Sequence, residues 1–91
     1  MTERKAASLT GRVALVTGSG AGMGKAHAVL MAERGADIVV QDVNLDTAEA
    51  TAAEIKKLGR KALAFGHDIS DVAATQAMVK KAEAEFGRID V

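Results

Sequence analysis

The sequence predicts an α/β fold in which helices cover both faces of a parallel sheet. Three observations predict it. Short apolar runs without polar alternation recur at residues 12–17, 36–41 and 61–65. Strands buried on both faces of a parallel sheet read this way. Stretches with apolar residues at helical spacing follow each run, so the order is β-α-β-α-β-α. A glycine-rich turn, Gly18-Ser19-Gly20-Ala21-Gly22-Met23-Gly24, joins the first run to the first helical stretch.

The elements follow in order. Residues 1–10 read as a flexible polar arm, and residues 11–91 as one partial domain. The first strand is Arg12-Val13-Ala14-Leu15-Val16-Thr17. The first helix is expected from about Met23 to Arg34, with Ala26, Leu30 and Glu33 at turn spacing and Gly35 as its stop. Ala36 to Gln41 is the second strand, with Asp42 at its carboxyl end. Leu45, Ala48, Ala52, Ile55 and Leu58 form the inner face of a second helix, started by Asn44 or Asp46 and ended by Gly59. Lys61 to Phe65 is a weaker third strand. Ser70 or Asp71 starts a third helix with an inner stripe of Val72, Thr75, Val79, Ala82 and Phe86, closed by Gly87. Met23, Met31 and Met78 read as packing residues. Ile89-Asp90-Val91 reads as the opening of a fourth strand. A domain boundary belongs in polar, exposed chain, so the expectation is the first half of something larger.

Composition excludes several classes. Twelve Lys and Arg balance twelve Asp and Glu, which argues against nucleic acid or an anionic membrane as the main partner. No run of apolar residues is long enough to span a bilayer, and residues 1–10 lack the apolar core of a secretory signal. Cysteine is absent, so no disulfide, thiol nucleophile or cysteine-based zinc site can form. A cytoplasmic location is expected. Tyrosine and tryptophan are absent too. His27 and His67 share no metal-ligand spacing, and no metal site is predicted. Lys80, Lys81, Glu83 and Glu85 read as a solvated helix face.

The chemistry lies in the glycine turn. The first amides of a helix have no internal partner, and the helix dipole makes them weakly positive. A pyrophosphate can accept those N–H bonds with no basic side chain present. Gly18 is assigned to the tight turn, Gly22 to close approach of the phosphate and Gly24 to close helix–strand contact. Gly20 reads as filler, and Met23 offers a backbone N–H. Such a turn is weak evidence alone, since it also lets a helix pack closely on a strand. Its setting between strand and helix strengthens it.

Asp42 strengthens it further. It falls eighteen residues after Gly24, close to the interval of roughly twenty typical of a ribose-binding carboxylate. A carboxylate there accepts from both adenosine ribose hydroxyls and repels a 2′-phosphate. No Arg or Lys lies in the turn or directly after Asp42. The reading is NAD(H) in preference to NADP(H), with Val43 beside the ribose carboxylate in the same site. Asp42 could instead be a solvated strand end or a helix cap. His67-Asp68-Ile69-Ser70 closes the third strand, where ligands of open parallel sheets bind. Asp68 and Ile69 are placed to border an adenine ring, although Asp68 or Ser70 could simply cap the third helix.

The chain resembles the short-chain dehydrogenase/reductase family from Leu9 onward. The resemblance is carried by Thr17-Gly18-x-x-x-Gly22-x-Gly24 after Val13-Ala14-Leu15-Val16, by Asp42, by Asp68-Ile69-Ser70, and by Phe86-Gly87-Arg88-Ile89-Asp90-Val91. It is similar to the 3-oxoacyl-carrier-protein reductase and NAD-dependent alcohol dehydrogenase branches. The resemblance implies the N-terminal half of a Rossmann-type three-layer sheet, strand order 3-2-1 with strand 4 just beginning beside strand 1. It implies hydride transfer between a nicotinamide and a small-molecule carbonyl or secondary alcohol, and a homo-oligomer. In the family Ser19 supports the loop or touches phosphate. The family's catalytic tyrosine, lysine, serine and asparagine have no counterpart here, so no catalytic residue is assigned and this segment alone is expected to be inactive.

Two rival readings remain: a non-catalytic dinucleotide-binding or regulatory module, and an interaction domain whose glycines are structural only. The first strand would be left as an open edge, an association hazard. The third helix would find little on its sheet face beyond Ala14, Val16 and their neighbours.

Overall fold

The computed structural model describes residues 9–90. Its elements are β1 (Val13–Val16), α1 (Gly22–Glu33), β2 (Asp37–Asp42), α2 (Leu45–Lys57), β3 (Ala62–Gly66) and α3 (Val72–Phe86). The strands form one parallel sheet in the order β1-β2-β3, the expected 3-2-1. Val13 pairs with Asp37 and Val16 with Val40 in the first ladder. Ile38 pairs with Ala62 and Asp42 with Gly66 in the second. β2 is therefore the central strand, and Ile38, Val39 and Val40 have no exposed surface.

Alternate strand residues point to opposite faces. Ala14, Ile38, Val40 and Ala62, with Val16 and Ala64 at the margin, face α1 and α2. Val13 and Val39, with Leu15 and Phe65, face α3. This corrects the expected partners of α3: it sits on the Val13 and Val39 side, whereas Ala14 and Val16 pack under the other layer.

The helix faces also differ from the expected ones. In α1 the buried residues are Ala28 and Ala32, while Ala26 and Leu30 are exposed. The sheet-facing side of this helix uses its smallest side chains, so the larger leucine marks the wrong face. In α2 the inner face is Ala48, Thr51, Ala52 and Ile55, with Leu45 and Leu58 at its exposed ends. In α3 Met78 and Ala82 are buried and Val72 is exposed. Met78 is thus a packing residue as expected, and Met31 is partly buried, but Met23 is 76% exposed.

Caps select between the alternatives. The Asn44 side chain accepts from the Thr47 amide at 3.2 Å and caps α2. Asp71 accepts from the Ala74 amide at 3.1 Å and caps α3. Of the expected arm, residues 1–8 lie outside the described residues. Leu9 and Thr10 are not arm-like: the Leu9 amide donates to the Arg34 carbonyl at 2.7 Å, and its side chain packs on the core. At the other end Asp90 pairs with β1 through its amide, which donates to the Val13 carbonyl at 2.8 Å. Among the described residues the sheet has three strands, so the expected fourth is met only by this single main-chain bond; Val91 lies outside the described residues. No described helix is long and apolar enough to cross a membrane.

Candidate functional site

All three strands end at one edge of the sheet, and a cleft opens there. It has a volume of about 380 Å³ and is lined by Thr17, Gly18, Gln41, Asp42, Val43, His67, Asp68 and Ile69. Five predicted site residues meet in this cleft: Gly18, Asp42, Val43, Asp68 and Ile69. Gly22, Met23 and Gly24 are not in its lining; they form the first turn of α1.

That first turn differs from those of α2 and α3. Its N-cap, Ala21, offers no side-chain acceptor, whereas Asn44 and Asp71 cap the other two. Among the described residues nothing accepts from the amides of Gly22, Met23 and Gly24. Three donors at the positive end of a helix dipole are a ready anion site. Gly18 and Gly22 both have left-handed backbone, with φ of 64° and 62°. A side chain at Gly22 would project into open space, so its glycine is required by the backbone bend as well as by any ligand that approaches. Gly24 is needed for space: a Cβ there would overlap the Gly18 carbonyl and press on Ser19. The close contact is thus between helix and turn rather than helix and strand.

Of the two roles expected for Ser19, supporting the loop or touching phosphate, the structure shows the first: it has no exposed surface. Its hydroxyl donates to the Val16 carbonyl at 2.6 Å and accepts from the Gln41 amide at 3.2 Å. Its own amide donates to the Gln41 carbonyl at 2.8 Å. Ser19 therefore stitches the turn to β2 and has no donor left for a ligand. Gly20 is not filler, because a Cβ there would overlap the carboxylate of Asp42.

Asp42 stands at the end of β2 with both oxygens oriented by main chain. Oδ2 accepts from the Gly20 amide at 2.8 Å and Oδ1 from the Val43 amide at 2.6 Å. It does not cap α2, a role Asn44 takes. An ionised carboxylate has about four acceptor positions, so two bonds leave room for two hydroxyl donors. Asp68 is arranged similarly. Its Oδ1 accepts from the Ser70 amide at 2.9 Å and from the Ser70 hydroxyl at 2.8 Å. These bonds, the backbone one first, hold the Asp68 carboxyl below the usual carboxylate range. Asp71, not Asp68 or Ser70, caps α3.

Gln41 was missed by the sequence reading. It is 2% exposed, and its carboxamide spans the cleft floor. Oε1 accepts from the Gly18 amide at 3.3 Å, and Nε2 donates to the His67 carbonyl at 2.6 Å. It ties the ends of all three strands together. A lone Gln in a buried strand was the available signal. His67 also has a structural partner. Its Nε2 lies 3.1 Å from Thr75 Oγ1, within hydrogen-bond reach, and the Thr75 hydroxyl also reaches the Ile69 carbonyl at 3.2 Å. His27 is exposed on α1.

An uncapped glycine-rich helix mouth, next to carboxylates at the ends of the second and third strands of a parallel sheet, defines a class of nucleotide-binding α/β domain. Residues 12–91 match the family described as short chain dehydrogenase, and the chain belongs to that family. It is 44% identical over 80 residues to the (2S)-[(R)-hydroxy(phenyl)methyl]succinyl-CoA dehydrogenase subunit BbsD of Thauera aromatica, covering 88% of this chain and 32% of that protein. It is 42% identical over 84 residues to the 2-dehydro-3-deoxy-D-gluconate 5-dehydrogenase of Dickeya dadantii, covering 92% of this chain and 32% of the relative. A 7α-hydroxysteroid dehydrogenase solved with NADH and 7-oxo glycochenodeoxycholic acid superposes with a TM-score of 0.91 at 37% identity, over 99% of this chain and 35% of the other. The chain spans about a third of the length of these relatives.

Proposed function

We propose that the cleft and the adjoining helix mouth hold the adenosine diphosphate part of NAD(H), and that the chain is the cofactor-binding portion of a short-chain oxidoreductase. The observation that carries this reading is the meeting of Gly18, Asp42, Val43, Asp68 and Ile69 in one cleft at the strand ends. The amides of Gly22, Met23 and Gly24 receive the pyrophosphate. Asp42 accepts from the ribose hydroxyls, and Val43, Asp68 and Ile69 border the adenine side.

Charge favours NAD(H) over NADP(H). A 2′-phosphate would meet the Asp42 carboxylate, with which no cation among the described residues forms an ion pair. The first lysine after the turn, Lys25, is paired with Glu54. The bound nicotinamide would exchange a hydride with a small-molecule carbonyl or secondary alcohol in an oligomer of identical subunits. The residues of this chain hold and orient the cofactor, and none of them is assigned to the chemical step.

Calorimetric titration with NADH, NADPH and AMP tests the reading. Binding of NADH and AMP with much weaker NADPH supports it. Asp42→Ala should weaken NADH about tenfold, the value of a hydrogen bond to an ionised group, and relax the bias against NADPH. No binding of any of the three would leave the glycines structural only.

A further inference from the structure

We propose that Gly20 is a specificity-determining position for the dinucleotide, acting through Asp42: the missing side chain at residue 20 seats the Asp42 carboxylate on the glycine turn, in the attitude that receives the ribose. The inference rests on the cofactor reading above and deepens it. Gly20 is buried, yet its φ lies outside the left-handed region. Backbone geometry therefore does not demand glycine there. Space does. A Cβ on Gly20 would overlap Oδ2 and Cγ of Asp42 and the hydroxyl of Thr47. That same Oδ2 accepts the Gly20 amide proton at 2.8 Å.

The main chain at residue 20 cannot retreat from the overlap. The buried Thr51 hydroxyl donates to the Gly20 carbonyl at 3.2 Å, and the Ser19 amide before it is fixed to Gln41. The two overlapped groups are ends of rotatable side chains. At Gly24 the overlap is with main chain instead. A methyl group at residue 20 is therefore relieved by turning Asp42 and Thr47, and the fold survives. Turning Asp42 takes its carboxylate off the Gly20 amide and away from the position where both ribose hydroxyls can reach it. Residue 20 touches no ribose atom itself; it is a positioning residue.

The test is a double-mutant cycle on the purified protein, read as NADH and NADPH affinities by titration and as the thermal midpoint. Gly20→Ala should weaken NADH about tenfold, the worth of one hydrogen bond to an ionised group. NADPH affinity should change less than twofold, so the preference narrows, and the midpoint should stay near that of the parent. In an Asp42→Ala background, adding Gly20→Ala should alter NADH affinity less than twofold, because the group it displaces is gone. An equal loss in both backgrounds would overturn the proposal, as would parental NADH affinity in Gly20→Ala or failure of that variant to fold. Asp42→Ala with parental NADH affinity would overturn the cofactor reading and this proposal together. Loss on Asp42→Ala with an additive Gly20→Ala would overturn this proposal alone.

Discussion

Val13 and Asp90 exchange two hydrogen bonds across 77 residues of sequence: the Val13 amide donates to the Asp90 carboxylate at 2.9 Å, and the Asp90 amide donates to the Val13 carbonyl at 2.8 Å. Arg88 holds the same carboxylate from the other side through Oδ1. The Arg88 bond, then the Val13 amide, keep the Asp90 carboxyl below the ordinary range. A depressed carboxyl contributes stability that is complete above its unfolded value, near about 4, and is lost as pH falls through the lower folded value. Thermal midpoints measured from pH 7 down to pH 3 should fall at the acid end in the parent. In Asp90→Ala the midpoint should start lower and lose less on acidification.

Gln41 should be costly to replace. Gln41→Leu keeps the volume but leaves the Gly18 amide and the His67 carbonyl without their carboxamide partner. Burying groups without partners costs about 1–3 kcal/mol. Urea unfolding should show a loss of this size, and NADH affinity should drop with it, because the glycine turn and the end of β3 no longer share a fixed spacing.

Two glycines of the turn should respond differently to alanine. Gly18 has positive φ but nothing within 4 Å of the added carbon, so Gly18→Ala should cost about 1–2 kcal/mol of backbone strain. At Gly24 the added carbon meets main chain that cannot turn aside, and the cost should reach about 3 kcal/mol. Denaturant midpoints for the two variants, compared with Gly20→Ala, should rank Gly24 as the least tolerant.

Asp68 should act on the adenine side alone. Its carboxyl is held below the usual range by Ser70, so the factor by which Asp68→Ala weakens adenosine, which carries no titrating phosphate, should not change between pH 8 and pH 5. Asp68→Ala should weaken AMP and NADH by the same factor, a few-fold, since the two ligands share the adenine. A titration in which only NADH weakens would place Asp68 elsewhere.

The strand ends were legible because parallel strands buried on both faces have no polar alternation, and because ligands collect at their carboxyl ends. Asp68 and Ile69 were placed by that rule, and Asp42, with Val43 beside it, by its interval from Gly24 as well. The phase of α1 did not. With alanine at 26, 28 and 32, the helix offers little contrast between its faces, and Leu30 pointed the wrong way. Gly20 was misjudged, and the role of Ser19 left open, because their surroundings come from β2, 22 residues later. Gly66 was not singled out at all. A Cβ there would overlap the main chain of Leu45 at the start of α2, a contact no local pattern announces. Gln41 was read only as the end of the second strand, and only the pairing of β2 between its neighbours shows that both ends of its amide are used.

Seven of the ten buried residues between the sheet and the α1–α2 layer are alanines: Ala14, Ala28, Ala32, Ala36, Ala48, Ala52 and Ala62. A layer built this way has almost nothing left to trim, so mutation there runs in one direction, towards enlargement. Each added methylene must wedge the helices off the strands, and the same wedge lifts the mouth of α1 from the turn beneath it. Drift at these positions therefore reaches the amides of Gly22, Met23 and Gly24 as a mechanical displacement.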